Sequence, residues 1–207
     1  MQNCKDIFKG LSAEDYKNGS VNFHIHTTYS DGLGDFKKIC EQARDKYKIF
    51  AVTDHNTVQG HIDNPDCGQI IGVEFDVWYK YIFLHLLAYG FDINSDCMKE
   101  FYSKDKKGTE KDIIRIFAKR DLKRLISAIH ESGGIAVLAH PCSCWALNIR
   151  TFVSELVKLG LDGIEVYYPY PRWRKYLKFS NPNDIEAIAD EFNLLKTGGT
   201  DCHESSL

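Results

Sequence analysis

No stretch of this 207-residue sequence is both uncharged and long enough to cross a bilayer, so a membrane-spanning helix is not expected. The start, MQNCKDIFKGLSAEDYKNGS, lacks a basic segment followed by an apolar one; no secretory leader is read there, and a cytoplasmic location is expected. Neither GxGxxG nor GxxxxGK followed by Ser or Thr occurs, which removes support for a dinucleotide site or a P-loop. No charge of one sign dominates. The 26 Lys and Arg stand against 29 Asp and Glu, a formal net charge of -3, so the molecule as a whole does not attract polyanions. With no basic stripe and no nucleic-acid motif, stable duplex binding is not expected. CxxC pairs are also missing: Cys4, Cys40, Cys67, Cys97, Cys142, Cys144 and Cys202 are odd in number and irregular in spacing, which favours reduced, buried thiols over bridges.

What is present is an ordinary globular composition, 43% hydrophobic and 27% charged, in a chain whose length favours one domain. Residues 1–20 read as an N-terminal extension without a recognised motif, and 21–207 as the domain. Apolar runs of strand length begin at Val21, Ile49, Ile70, Ile82, Ile135, Gly163 and Leu194, with the β-branched and aromatic content of strands buried on both faces. Helical stripes lie between several of them: Phe36, Ile39, Cys40, Ala43 and Tyr47; then Phe152, Val153, Leu156, Val157 and Leu159. A further helix is predicted after Asn181 as cap with Pro182 in its first turn. Strands alternating with helices predict parallel βα units and a closed or nearly closed α/β barrel, with a doubly wound open sheet as the alternative. Residues 92–120 break the rhythm with a charged centre and read as a short excursion, a candidate lid over the barrel mouth.

Six of the eight histidines fall at or near predicted strand ends: His24, His26, His55, His85, His140 and His203. In parallel α/β barrels that end is the active-site face, so residues scattered in sequence are expected to converge. His24 and His26 are two apart, and an extended chain points such residues to one side. Asp31, Asp54, Glu74 and Asp201 sit at comparable places. A mixed imidazole and carboxylate set suits Mn, Zn or Fe, and about nine donors exceed one tetrahedral zinc, which implies a cluster. A lone histidine on an apolar strand is more often a hydrogen-bonded core residue than a ligand. Six sharing one face argue jointly against that reading. His61 and His130 lie outside the pattern and read as solvent-facing or structural. Cys142 and Cys144 make only a weak Cys-x-Cys signal, and Cys202 is turned away by strand alternation. Gly198 and Gly199 allow close backbone approach to a metal or substrate, or simply a tight strand entry.

These motifs resemble one family, the polymerase and histidinol phosphatase (PHP) phosphoesterases. The likeness runs through HIHTTYSDG from His24, AVTDHNT from Ala51, IGVEF around Glu74, FLHLLAYGFD around His85, GGIAVLAHP ending at Pro141, GLDGIEVYYP from Gly160 and TGGTDCHE from Thr197. The resemblance implies a distorted (βα)7 TIM-like barrel holding two or three divalent transition-metal ions. It implies that His24, His26, Glu74 and Asp201 hold one ion, Glu74 with His85 and His140 a second, and Asp31, His55 and His203 a third. It further implies catalysis by Glu74, Asp201 and His203, with a water held between cations losing a proton and attacking phosphorus in line. The substrate class so implied is a small phosphomonoester, a nucleotide or a short oligonucleotide end. Family members acting on nucleotides often carry a sizeable helical insertion after the histidine strand, where this chain has a short one. Members also commonly continue past the position of His203, whereas this chain ends four residues later.

Arg172 and Arg174, interleaved with aromatics in PYPRWRKY, are candidate substrate-binding cations, with Lys104, Lys106 and Lys107 as rivals. Two further readings stand beside the phosphoesterase: another metal-assisted hydrolase of amidohydrolase type, and a metal-bound regulatory module without turnover.

Overall fold

The computed structural model of the protein describes residues 4–67, 70–117, 119–176 and 181–207. Seven strands form one sheet in chain order: β1 (Val21–Asn22), β2 (Ile49–Val52), β3 (Ile70–Tyr79), β4 (Ile82–Tyr89), β5 (Ile135–Leu138), β6 (Gly163–Tyr167) and β7 (Leu195–Gly198). The first and last strands then meet. Phe23 donates its backbone N–H to Gly198 O (3.2 Å) and His26 to Cys202 O (2.9 Å), which nearly closes the sheet into a barrel. The regular ladder of β1 is only two residues long. Beyond it the histidine segment stays extended because Ile25 bridges Cys202 on one side and accepts from Thr53 N (2.8 Å) on the other.

The barrel is not parallel throughout, as the alternation of strands and helices predicts. β4 runs antiparallel to both β3 and β5, and the other neighbours are parallel. The reason is chain length: only Lys80 and Tyr81 separate β3 from β4, whereas a parallel crossover needs a dozen residues or more. Lys80 takes a left-handed φ of 54° to make that turn. The reversal sets His85 directly opposite Asp76 in the ladder.

Helices cover the outside where the sequence places them. Phe36–Lys46 buries Phe36, Ile39, Cys40 and Ala43, and starts at Asp35, whose carboxylate accepts from Lys38 N. Leu122–Glu131 begins at the Asp121 cap, Ile149–Lys158 at Asn148, and Pro182–Glu191 at Asn181 with Pro182 in its first turn. Among the described residues no helix is long and apolar enough to cross a membrane.

The two ends of the barrel differ. At the end where β3 begins and β4 finishes, the helix Cys4–Lys9 seals the interior: Phe8 packs on Phe23 (ring centroids 4.7 Å) and Tyr89 (5.3 Å). Burying that phenyl ring contributes roughly 2–3 kcal/mol. The Tyr89 hydroxyl, buried in the same cluster, donates to Phe23 O at 2.7 Å. The histidines gather at the opposite end. The excursion reaches it in its later part: the short helix Asp96–Lys99 packs on the outer helix Leu122–Glu131, and the short helices Lys107–Glu110 and Asp112–Arg115 bring Arg115 to that end.

Candidate metal centre

Glu74 is the hub. β3 carries it into the barrel with no exposure, and five imidazoles surround its two oxygens. Oε2 faces His24 Nε2 at 3.1 Å, His26 Nε2 at 3.2 Å and His55 Nε2 at 3.3 Å. Oε1 faces His85 Nδ1 and His140 Nε2, both at 3.1 Å. Burial opposes ionisation, but the ring of imidazoles led by His24 outweighs it and holds this carboxyl well below the usual range.

Around that hub the nine sequence-predicted donors come together. Asp201 Oδ1 lies 3.1 Å from His26 Nε2 and 3.3 Å from His24 Nε2. Asp31 Oδ1 lies 3.3 Å from His203 Nε2 and 3.6 Å from His26 Nδ1, while its Oδ2 is 3.7 Å from His55 Nε2. Donor atoms within 4.8 Å of one another fall into groups that could hold a cation: His24, His26, Glu74 and Asp201; Glu74, His85 and His140; His26, Asp31, His55 and His203; and His55, Asp76 and His85. Three chain turns aim these groups by taking left-handed φ angles at non-glycine residues: Asn56 after His55, His140 itself, and Asp201.

Buried atoms with no aligned hydrogen-bond partner are concentrated here: His26 Nε2, Asp31 Oδ1, His55 Nδ1, Asp76 Oδ1 and His140 Nδ1. Such groups are costly when unsatisfied, and several of them point at common points between a carboxylate and an imidazole, as the donors of a cation do. Burial opposes protonation of His26, but Asp201 and Glu74 hold it up at about 9; His85 is held up to about 10 against the same burial by Glu74 and Asp76. His55 goes the other way, burial pulling it down.

Three contributors were not read from the sequence. Asp76, fully buried two residues beyond Glu74 on the same face of β3, sets Oδ1 3.1 Å from His85 Nε2 and 3.4 Å from His55 Nδ1. Those are the ring nitrogens turned away from Glu74, so Asp76 sets a counter-charge behind both rings. Glu165 of β6 accepts from His24 Nδ1 (3.0 Å) and from His140 N (2.7 Å), doing the same for His24. Arg115, on the last short helix of the excursion, donates to Asp31 Oδ2 at 2.7 Å. Period two within VEFDV was the available signal for Asp76, and a lone acid inside an apolar strand for Glu165. Nothing local marked Arg115.

The other residues singled out in the sequence stand outside the donor set. Asp54 accepts from Thr27 N, Thr27 Oγ1 and Ser30 Oγ at 2.6–2.7 Å, which pins the turn carrying Asp31 instead of joining the donors. His61 is buried, its Nε2 3.1 Å from the carbonyls of Val52 and Gly72. Exposed His130 contacts Asp162 at 2.7 Å. Gly199 approaches the backbone of His24 rather than the open side of the site.

The open side is a cavity of about 530 Å³ lined by Asp31, Glu74, His85, His140, Asp201 and His203 together with Phe83, Leu84 and Arg115. Arg172 and Arg174 do not line it. Arg172 is exposed, whereas the guanidinium of Arg174 is buried against Cys142 O and stacks over Trp145 (5.0 Å) and Trp173 (5.1 Å). Lys104, Lys106 and Lys107 are exposed and also stand off from it.

No family model matches the chain. Two solved structures share the fold at 17% identity, each alignment covering 89% of this chain and 88% of the other. One is a protein of Bifidobacterium adolescentis assigned as a metal-dependent phosphoesterase (TM-score 0.69), and the other is an amidohydrolase of Chromobacterium violaceum with bound sulfate and no metal (TM-score 0.72). A phosphoribosyl 1,2-cyclic phosphate 1,2-diphosphodiesterase of Eggerthella lenta is 31% identical over 83 residues, 40% of this chain and 28% of that protein. A longer match, 31% identical over 173 residues, takes in 73% of this chain and 83% of its relative, and by it the chain belongs to the family of the uncharacterized protein MJ1587 of Methanocaldococcus jannaschii.

Proposed function

We propose that the chain is a PHP-type phosphoesterase, hydrolysing a small phosphomonoester, a nucleotide or a short oligonucleotide end with two or three divalent ions of Mn, Zn or Fe. The observation that carries this reading is the single carboxylate of Glu74 set among five imidazoles, with Asp31, Asp201 and His203 completing overlapping donor groups at one cavity. The donors fit such ions: buried nitrogens and oxygens lack aligned partners, and among the described residues the acids Asp31, Glu74, Asp76, Glu165 and Asp201 face one guanidinium, that of Arg115. Bound divalent cations supply a Lewis acid for the phosphoryl oxygens and a nucleophile at neutral pH. The chain's own groups do the rest. Glu74 holds two of the donor groups in fixed relation. Asp201, kept ionised against burial by His24 and His26 and oriented by the Tyr168 hydroxyl at 2.8 Å, is placed to take the proton of the attacking water. His203, whose Nδ1 donates to Asp201 O at 2.9 Å, would hold a cation through Nε2 beside Asp31 and so steady the turn that carries Asp201.

The test is Mn-dependent release of phosphate from histidinol phosphate, nucleoside bisphosphates and short oligonucleotides, in the parent and in Asp201→Ala. Full activity in the variant, or none in the Mn-loaded parent, refutes the reading. The likeness to an amidohydrolase structure gives the amide reading its one support. That chemistry on this scaffold commonly uses a carboxylated lysine, and among the described residues no lysine lines the cavity.

Metal uptake should depend steeply on pH. With His26 held up at about 9 and His85 at about 10, the metal-free site keeps these protons at neutral pH, and a cation must displace them. Affinity therefore rises with pH until those values are passed, by about tenfold per pH unit for each proton released. Calorimetric Mn titrations at pH 6, 7 and 8 check this; an affinity that is flat across that range contradicts it. Asp76→Asn should weaken Mn binding roughly 10- to 100-fold, because an amide no longer sets a counter-charge behind both rings. Equilibrium dialysis gives the answer, and an unchanged affinity removes Asp76 from this role.

A further inference from the structure

Among the described residues one Lys or Arg side chain borders the cavity, and it comes from neither segment that the sequence offered. Arg115 reaches down from the excursion with its side chain 6% exposed. It meets the rim of the metal centre from above: Nη1 donates to Asp31 Oδ2 at 2.7 Å and to Thr109 O at 3.2 Å, Nη2 pairs with the exposed carboxylate of Asp112, and Nε stands 3.7 Å from Asp76 Oδ2. Nε has no hydrogen-bond partner although it is buried. Among the described residues no other Lys or Arg lines this cavity. Its neighbour Arg120 is spent on backbone, donating to Phe101 O at 2.8 Å and Asp76 O at 2.9 Å.

A planar guanidinium with a spare N–H, held at the edge of a donor cluster by one of that cluster's own carboxylates, has the geometry for bidentate recognition of a tetrahedral oxyanion. Asp31 can serve Arg115 through Oδ2 while its Oδ1 faces His203, so the guanidinium and a cation bound to the same carboxylate would stand side by side. Asp112, with 83% of its side chain exposed, is the partner most readily given up.

We propose that Arg115 is the substrate-binding cation of this cavity, the residue that clasps the phosphoryl oxygens and makes the site selective for phosphate esters. The inference rests on the phosphoesterase reading for its substrate, but not for its test. Inorganic phosphate titrated calorimetrically into Mn-loaded protein should bind the parent and bind Arg115→Met roughly 10- to 100-fold more weakly, with Mn content unchanged. Arg115→Lys keeps the charge without the fork and should fall between the two; it also carries the test if the Met variant does not fold.

Phosphate affinity within twofold of the parent in a folded, Mn-loaded variant overturns the assignment, as does a parent that binds no phosphate. A lower thermal midpoint or poorer Mn retention with phosphate affinity preserved would make Arg115 a latch for the excursion, which also overturns it. The two proposals can fail separately. A parent that binds phosphate through Arg115 but hydrolyses no ester leaves this inference standing and sinks the function. A parent that hydrolyses esters with KM unmoved in Arg115→Met does the reverse.

Discussion

Glu74→Gln is expected to reduce metal-dependent hydrolysis by roughly 10³-fold or more, a larger loss than any other single substitution in the site should cause. The amide keeps the shape of the side chain but can no longer present an anion on both edges. His24, His26 and His55 lie against one oxygen and His85 and His140 against the other, so two donor groups lose their common member at once. The metal-free protein should respond as well. Five imidazoles then lose a counter-charge that stood within 3.3 Å, and breaking a buried ionic contact of this kind costs about 3–5 kcal/mol unless the rings shed protons. They will shed some: burial already opposes the charged form of His85, and Glu74 leads the groups that hold it up. The variant should therefore show lower Mn stoichiometry by elemental analysis, a lower melting temperature after chelation, and His85 titrating closer to the ordinary histidine range by NMR. Parent-like turnover with full Mn content would remove Glu74 from the centre of the mechanism.

The parts of this site that sequence made legible are those whose residue type is itself informative. One histidine at a strand end decides little, but six of them, with Asp31, Glu74 and Asp201, outline the centre before any coordinates. Asp76 and Glu165 were harder because they act through a ligand. Each reads as one more acid in a strand, and only the pairing of β3 with β4 shows that Asp76 stands opposite His85. Arg115 could not be found at all: it is 84 residues from Asp31 along the chain, in a segment whose charge pattern looks like a solvated loop. The arginines that did stand out, Arg172 and Arg174, drew attention through aromatic neighbours, one of which, Trp173, stacks on Arg174 itself. The direction of β4 was also hidden. Lys80 and Tyr81 contain no Gly or Asn to announce a hairpin, yet their number alone forbids the parallel crossover that the other strands use.

Gly199→Ala should be the most damaging change outside the donor set. A Cβ built there lies 2.3 Å from His24 Cβ and 2.5 Å from His24 N, and neither atom can swing aside as the end of a flexible side chain could. The two strands that close the barrel must move apart, stretching the bonds from Phe23 N to Gly198 O and from His26 N to Cys202 O. Overpacking against backbone of this kind belongs at the upper end of its range, about 3 kcal/mol or more. The cost does not stop at stability, because the seam divides the donors: His24 and His26 sit on one side, Asp201 and His203 on the other. Displacement of about 1 Å across it is enough to cost on the order of 10²-fold in a positioned site. Gly10→Ala, where the added carbon meets only ordinary contacts at 3.4 and 3.5 Å, is the matched control and should melt with the parent. If Gly199→Ala also melts with the parent and retains its Mn, then the closure between the first and last strands does not hold the metal centre together.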